Sequence, residues 1–258
     1  MRWLDALAKR VSEPALAERM AAAYAAASRG DHAVALDIWM PLAHAGVARA
    51  QNNIGACFSE GLGVERDAKL AERWLALAAD AGDPVGQRNL AALYFKGDGV
   101  EQDDARAIRL YRAAAEQGDA QAQDMLSWML LEDGADQAEA RRWAEAAAAQ
   151  GIASSMTRLG MMFHNALAAP RDSEQAVFWW RQGATRGDAD GQAMLGAAFH
   201  LGAGIERDPV AAMTWLLRAR IGGSRLAGQF FDAVRAALGP DQIAEAERRA
   251  RLPLERVS

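Results

Sequence analysis

The side chains best suited to catalysis or metal binding are few and scattered. None of the four histidines has the i, i+4 partner or the clustered carboxylates of a metal site: His32, His44, His164 and His200. His164 and His200 hold equivalent positions in adjacent repeats, but two imidazoles lack a third ligand. Cys57, the single cysteine, is expected to be a small buried apolar side chain. The sequence therefore predicts no catalytic residue, no metal site and no cofactor.

Other motifs that resemble chemical sites have simpler explanations. No serine lies in a Gly-x-Ser-x-Gly elbow, and the carboxylate pair Asp103-Asp104 falls where a helix cap is expected. Gly-x-Gly tripeptides occur at residues 61–63, 97–99 and 202–204, but none follows a predicted strand. We interpret them as turns and not as phosphate-binding loops.

Length and charge narrow the class of protein further. The chain has 258 residues, enough for a substantial core, and a formal charge of −5 with acidic and basic residues interleaved. A basic stripe that could neutralise phosphates is missing, which argues against a nucleic-acid partner. No run reaches the roughly 18 apolar residues of a membrane span. Residues 1–5 continue into charged residues instead of the apolar core of a signal peptide. A cytoplasmic protein is the expectation.

A repeat of 36 residues organises the sequence. Six aspartates recur at this step, shortened once to 33: Asp31, Asp67, Asp103, Asp136, Asp172 and Asp208. Each is followed fifteen residues later by a glycine: Gly46, Gly82, Gly118, Gly151, Gly187 and Gly223. An aspartate can cap the start of a helix and a glycine can close its end, so each interval predicts one helix. The shortened step falls in the loop around residues 132–135.

The predicted helix after each aspartate has one apolar face. An alanine stands four residues after every aspartate, and a large apolar residue stands seven after it: Ile38, Trp74, Leu110, Trp143, Trp179 or Trp215. This spacing places the two rows on one face, which is expected to be buried. Asp136 and Asp172 also have the glutamate or glutamine of a capping box, and Pro209 suits the first helical position.

A second helix per repeat follows the closing glycine. Its pattern is a small residue, an aliphatic four later, another small residue and usually an aromatic, as in Gly191, Leu195, Gly196 and Phe199. A glycine inside a helix costs about 1 kcal/mol relative to alanine. Its recurrence predicts that a neighbouring helix passes too close for a β-carbon.

The complete unit resembles the SEL-one-like repeat, a relative of the tetratricopeptide repeat. Residues 87–118 carry nearly every signature position, including Tyr94, Gly97, Gly99 and Val100. The resemblance implies an all-α, right-handed superhelical α-solenoid of antiparallel helix pairs, which binds a protein or peptide in its concave groove. Cysteine-rich relatives act on β-lactams, but their paired cysteines are absent here. We expect a single domain: residues 1–46 as N-terminal capping helices and a degenerate repeat, 47–224 as five full repeats, and 225–258 as a partial repeat and capping helix.

Partner contacts are expected at positions that vary between repeats on the second helix. The row two residues before the aliphatic holds Asn52, Arg88, Asp124, Thr157 and Ala193, and the next row holds Asn53, Asn89, Met125, Arg158 and Met194. Asparagines and charges there could hold a peptide backbone or its acidic groups. The alternative for each residue is ordinary solvated surface.

Trp128 and Met161 stand where most repeats have alanine. With Met125, Met129 and Met162 they form a soft apolar set that suits an adaptable binding surface. The alternative is that Trp128 fills space left by the shortened loop. A buried indole would remove it as a contact residue.

Two other functions compete with a non-enzymatic adaptor. One is an enzyme or small-molecule binder, which a ligand-sized pocket with convergent polar groups would favour. The other is self-association through the Trp- and Met-rich surface or through an N-terminal helix that contains Trp3, Leu4 and Leu7.

Overall fold

Helices make up most of the residues in this computed structural model, which describes residues 13–134 and 136–254 apart from the side chain of Glu13. They are α1 Glu13–Ser28, α2 His32–His44, α3 Ala48–Glu60, α4 Ala68–Asp80, α5 Pro84–Lys96, α6 Asp104–Glu116, α7 Ala120–Asp133, α8 Gln137–Ala149, α9 Ala153–Asn165, α10 Ser173–Thr185, α11 Ala189–Leu201, α12 Pro209–Ile221, α13 Ala227–Ala236 and α14 Pro240–Arg251. These residues contain no strand. The predicted class, an all-α solenoid of helix pairs, is confirmed.

The chain forms two compact units, residues 1–122 and 123–258. In the first, α3 packs against α4 and α5, and α5 packs against α6. In the second, α10 packs against α9 and α11, and α12 packs against α11, α13 and α14. The division at residues 46/47 and 224/225 stays a prediction. The predicted helix around Trp3, Leu4 and Leu7 lies outside the described residues, as does Ala135 of the shortened loop.

Aspartate side chains begin most of the helices, as predicted. Asp67 accepts from Leu70 N over 2.9 Å, and Asp103, Asp136, Asp172 and Asp208 cap their helices likewise. The predicted cap at Asp31 is wrong. Its backbone (φ −79°, ψ 58°) departs from the extended geometry of Asp67 (φ −140°, ψ 97°), and its side chain makes no bond to the helix. Instead, Asp31 Oδ2 accepts from Arg29 Nε over 3.4 Å.

The buried stripe of α2, α4, α6, α8, α10 and α12 differs from the predicted one in a single row. The alanines four residues after each aspartate are 0% exposed, as expected: Ala35, Ala71, Ala107, Ala140, Ala176 and Ala212. The large residues at position seven, however, are only partly buried. The buried row is position eight: Trp39, Leu75, Tyr111, Ala144, Trp180 and Leu216. At about 3.6 residues per turn, positions 4, 8 and 11 lie close together around the helix, and position 7 lies at the edge.

Helix-interior glycines mark close approaches, and that prediction is confirmed. A β-carbon on Gly160 would lie 2.4 Å from Cδ1 of Trp180, and one on Gly196 would lie 2.9 Å from Cγ of Leu216. Real β-carbons do not approach other atoms so closely. Gly160 of α9 and Gly196 of α11 therefore make room for the buried residue at position eight of the next helix.

The Gly-x-Gly loops are turns that pack on the preceding repeat. Gly61 (φ 71°) ends α3, and a β-carbon on Gly63 would lie 2.7 Å from the backbone nitrogen of Ala33. The loop after α9 lacks both glycines, yet it keeps the same backbone shape, with Ala166 at φ 57° and Ala168 at φ 55°. These two alanines adopt the left-handed conformation that L-residues with side chains disfavour.

The C-terminal residues form two helices, α13 and α14, where two helices are predicted. Their roles as a partial repeat and a capping helix stay predictions. Cys57 is 3% exposed, and burial raises the pKa of its thiol. Among the described helices, none combines the length and the apolar character needed to cross a membrane.

Candidate functional site

Arg88, a predicted contact residue, links two neighbouring repeats within the first unit. Its Nη1 donates to Oδ2 of Asp119 over 2.7 Å, while Oδ1 of Asp119 accepts from Ala122 N over 2.9 Å and caps α7. The Arg88 side chain is 23% exposed and that of Asp119 is 9% exposed. Arg88 therefore holds the start of the next repeat's helix.

Thr157 repeats this arrangement in the second unit. It occupies the position equivalent to Arg88, and its Oγ1 donates to Oδ1 of Asp188 over 2.7 Å. The same oxygen of Asp188 accepts from Gly191 N and caps α11. A donor at this row thus bonds to the aspartate that begins the corresponding helix one repeat later.

Asp124 occupies the same position as Arg88 and Thr157, but it accepts hydrogen bonds instead of donating them. Helix α9, which follows it by one repeat, begins at Ile152, whose side chain offers no cap. Asp124 instead accepts from Ser154 Oγ over 2.9 Å, from Ser155 Oγ over 2.5 Å and from Arg158 Nη1 over 2.6 Å. At this junction the carboxylate therefore lies on the preceding repeat, where it bonds to side chains of α9 and holds Arg158.

The asparagines of the first unit form a chain of amides. Asn89 Nδ2 donates to Asn52 Oδ1 over 2.8 Å, and Asn52 Nδ2 donates to Asn53 Oδ1 over 3.2 Å. Asn52 is only 4% exposed, and Asn53 Nδ2 is buried without an acceptor. The neighbouring cap, Asp83, pairs with Arg49 over 2.8 Å. Asn52 and Asn53 are thus parts of an internal network, whereas Asn89 ends that network at the surface.

A hollow of about 270 Å³ lies beside Asn89, between α3 and α5. Its polar groups are Asn89, Ser59 and Lys96, its apolar lining includes Ala56, Ala92, Leu75 and Leu93, and Glu60 and the ion pair Arg66–Asp98 (2.5 Å) complete it. Within the described residues, Asn89 Oδ1, Ser59 Oγ and Lys96 Nζ have no hydrogen-bond partner. The Arg66 guanidinium lowers the pKa of the Asp98 carboxyl. A free amide oxygen beside two free donors can bond both sides of a peptide group.

The predicted Trp- and Met-rich surface is divided between core and partly exposed residues. Met129 is 6% exposed and Met162 is 1% exposed, so both belong to the core. Met161 packs against a core cluster that contains Val177 and Trp180. Trp128, like Met125, is half-buried. Its indole is therefore not buried enough to be removed as a contact residue. Met125, Trp128 and Met161 stay predicted contact residues.

The histidines do not converge with other ligands. The described residues hold no group of three or more histidine, cysteine or carboxylate side chains arranged for a metal ion. The His164 ring lies 5.5 Å from that of Trp180, and Nδ1 of His200 is buried without a partner.

Sequence reasoning missed the pairing between repeats, although a signal was present. Arg88 precedes Asp119 by 31 residues, Thr157 precedes Asp188 by 31, and Asp124 precedes Ser155 by 31. In each pair one member donates and the other accepts. A search for complementary polar residues at this separation would have found the links.

Comparison with known proteins agrees with this architecture. The Sel1 repeat matches residues 48–83, 84–119, 120–152, 153–188 and 189–224, which together are more than half of the chain. No curated protein matches. A protective antigen of uropathogenic Escherichia coli with an SLR fold superposes with a TM-score of 0.81 at 29% identity, over 85% of this chain and 48% of its own. This chain thus spans about half the length of that antigen.

A Sel1 repeat protein from Oxalobacter formigenes has the same TM-score of 0.81 at 24% identity, covering 93% of this chain and 98% of the other. That likeness shows the shared fold. The five matched repeats coincide with the helix pairs α3–α4, α5–α6, α7–α8, α9–α10 and α11–α12. The chain therefore belongs to the Sel1 repeat family.

Proposed function

We propose that this protein is a non-catalytic scaffold that binds an extended peptide segment of a partner protein, and that the hollow beside Asn89 is the primary contact. The observation that carries the proposal is the set of free groups there: Asn89 Oδ1 accepts, and Ser59 Oγ and Lys96 Nζ donate. A peptide group presents one N–H and one C=O, so it can satisfy both kinds of group at once.

The contrast between Asn89 and the other predicted residues supports this choice. Arg88, Asp124 and Arg158 are engaged in ion pairs between repeats, and a partner would have to break those pairs to use them. Asn89 already has its amide nitrogen fixed by Asn52, which orients the free oxygen in advance. Binding to a fixed group loses less side-chain entropy than binding to a mobile one.

For this hollow, a small-molecule or enzymatic role is the weaker alternative. Ligand pockets usually measure about 300–1,000 Å³ and enclose most of their ligand. The hollow of about 270 Å³ falls just below that range. One or two residues of a longer chain would fill it, and the rest of the segment would run along the helices. We propose the cytoplasm as the compartment, because the single cysteine gives the chain no intrachain disulfide.

The test begins with peptides selected from a random displayed library against the intact chain. Affinity is then measured by fluorescence anisotropy for the wild type and for Lys96→Ala and Ala56→Leu, which remove a donor and fill the hollow. Lys69→Ala is the matched control, because Lys69 is another exposed lysine of the first unit that does not line the hollow.

We expect Lys96→Ala to weaken binding by roughly tenfold, the effect of losing one charge-assisted hydrogen bond of about 1.5 kcal/mol. Ala56→Leu should weaken it further, and Lys69→Ala should not change it. Equal affinity for all four proteins would place the contact elsewhere and refute the proposal for this hollow. Thermal unfolding of each variant checks that the fold is intact.

A further inference from the structure

A second cavity, of about 390 Å³, lies in the second unit where the chain returns after α14. It is lined by Thr185 from α10, by Ala211, Thr214, Trp215 and Arg218 from α12, and by Arg249, Leu252, Pro253 and Leu254 from the C-terminal segment. Two arginines and two threonines thus face an otherwise apolar surface. None of these lining residues is acidic.

Arg218 is a cation without a carboxylate partner in the described part of the chain. Its Nη2 donates to the backbone oxygens of Arg249 (2.9 Å) and Leu252 (2.7 Å), and its Cζ lies 5.4 Å from the centre of the Trp215 ring. Nη1 of Arg218 makes no hydrogen bond within the described part of the chain, and its Nε is buried without an acceptor. Burial lowers the pKa of this guanidinium.

The other arginine has a carboxylate partner. Arg249 Nε donates to Oε1 of Glu245 over 2.6 Å, and Arg248 donates to the same carboxylate. These two hydrogen bonds lower the pKa of Glu245 to about 2. Of the two lining arginines, Arg218 is therefore the one that has no carboxylate partner among the described residues. A partly desolvated cation without an opposite charge beside it is costly, so an anion placed here gains a strong charge-assisted bond.

The threonines define the rest of the ligand. Thr214 Oγ1 donates to Val210 O over 2.8 Å, and Thr185 Oγ1 donates to Arg181 O over 2.8 Å. Because each hydroxyl already donates its proton to a backbone oxygen, it can only accept a further hydrogen bond. It therefore suits a ligand N–H and not a second anionic oxygen. Trp215 and Leu252 offer apolar surface beside these groups.

We propose that this cavity binds an apolar amino-acid residue with a free α-carboxylate and an acylated nitrogen, the chemistry of a peptide C-terminus. The carboxylate bonds to Arg218, the N–H donates to a threonine hydroxyl, and the apolar side chain packs on Trp215. A peptide end and a free acylated amino acid share this chemistry.

Isothermal titration calorimetry on the full chain tests the proposal with two pairs of ligands. The first pair is N-acetyl-leucine and N-acetyl-leucinamide, and the second is a hexapeptide that ends in leucine as the free acid or as the amide. We expect each acid to bind at least tenfold more tightly than its amide. Equal binding of acid and amide, or no binding of either acid at millimolar concentration, overturns the proposal.

Two variants locate the binding. Arg218→Gln should remove the preference for the acid, and Ala211→Leu, which fills the cavity without changing the guanidinium, should weaken both acids. Because Arg218 also holds the end of α14, circular dichroism must show unchanged helicity for Arg218→Gln. If that variant unfolds, Ala211→Leu decides, and unchanged binding by it refutes the site. A hexapeptide that binds tenfold more tightly than N-acetyl-leucine identifies a chain terminus as the ligand, and equal affinities identify the free amino-acid derivative.

Discussion

Arg158 and Asp124 form an ion pair of 2.6 Å between neighbouring repeats, and both side chains are less than one-fifth exposed. Two serines, Ser154 and Ser155, donate to the same carboxylate. At the equivalent position, Arg88 and Thr157 are donors to a cap aspartate. The pairing is therefore complementary at these three junctions, and the residue type at positions 88, 124 and 157 matches whether the next helix begins with an acid.

The Asp124 junction should be the most sensitive of these links. Asp124→Ala leaves a partly buried arginine unpaired and two serines without an acceptor, so we expect a loss of about 3 kcal/mol in the free energy of unfolding. Urea denaturation measures it. Arg158→Ala should cost less, and the double variant should cost less than the sum of the single changes. Additive losses would mean that the pair does not couple the repeats.

Arg88→Ala should destabilise the first unit more mildly. Asp119 keeps its bond to Ala122 N in this variant, so only the ion pair is lost, and we expect about 1 kcal/mol. Arg29→Ala is a suitable control, because Arg29 pairs with Asp31 over 3.4 Å on a more exposed surface. A loss for Arg88→Ala no larger than that of the control would contradict a linking role.

The loop after α9 offers a stabilising change. Ala166 and Ala168 hold left-handed backbone conformations that glycine adopts in the equivalent loops. Replacing each by glycine relieves a cost of roughly 1–2 kcal/mol, partly offset by the greater entropy of glycine in the unfolded chain. We expect a net gain of a few tenths to about 1 kcal/mol per site. A lower melting temperature for Ala166→Gly would show that its side chain contributes packing.

Tyr111 should make stability depend on alkaline pH. Burial raises the pKa of its phenol from 10.0 to about 12. The folded state holds this proton more tightly than the unfolded state. The protonated phenol therefore contributes its full stabilisation below pH 10, and that stabilisation disappears as the pH rises to 12. Two pH units correspond to about 2–3 kcal/mol.

Urea denaturation of the wild type and of Tyr111→Phe between pH 8 and pH 12 isolates this contribution, since both proteins share every other titrating group. Above pH 10, but not below it, the free energy of unfolding of the wild type should fall relative to that of Tyr111→Phe. Parallel curves across the whole range would show that the phenol proton is not held by burial.

The repeat period, the caps and the close-packed glycines were predictable because each depends on local geometry. An aspartate at a helix start and a glycine such as Gly160 beside a large residue follow rules that a single repeat already obeys. Position eight was missed because positions seven and eight border the same stripe, and only packing of the next helix decides between Trp179 and Trp180. The partners of the polar residues on the second helix of each repeat were harder to predict. Whether Arg88 or Asn89 is free depends on which side chain the next repeat presents, and that requires the spacing of helices in three dimensions.

Side-chain amide and indole signals in ¹H–¹⁵N spectra provide the most direct test of the central claim, that Asn89 is free for a partner while Arg88 and Arg158 link repeats. A selected peptide is titrated into labelled protein. We predict a shift of the Asn89 side-chain amide with little change at the Arg88 and Arg158 guanidinium signals. Large shifts at the two arginines or at the Trp128 indole, with Asn89 unmoved, would contradict the account.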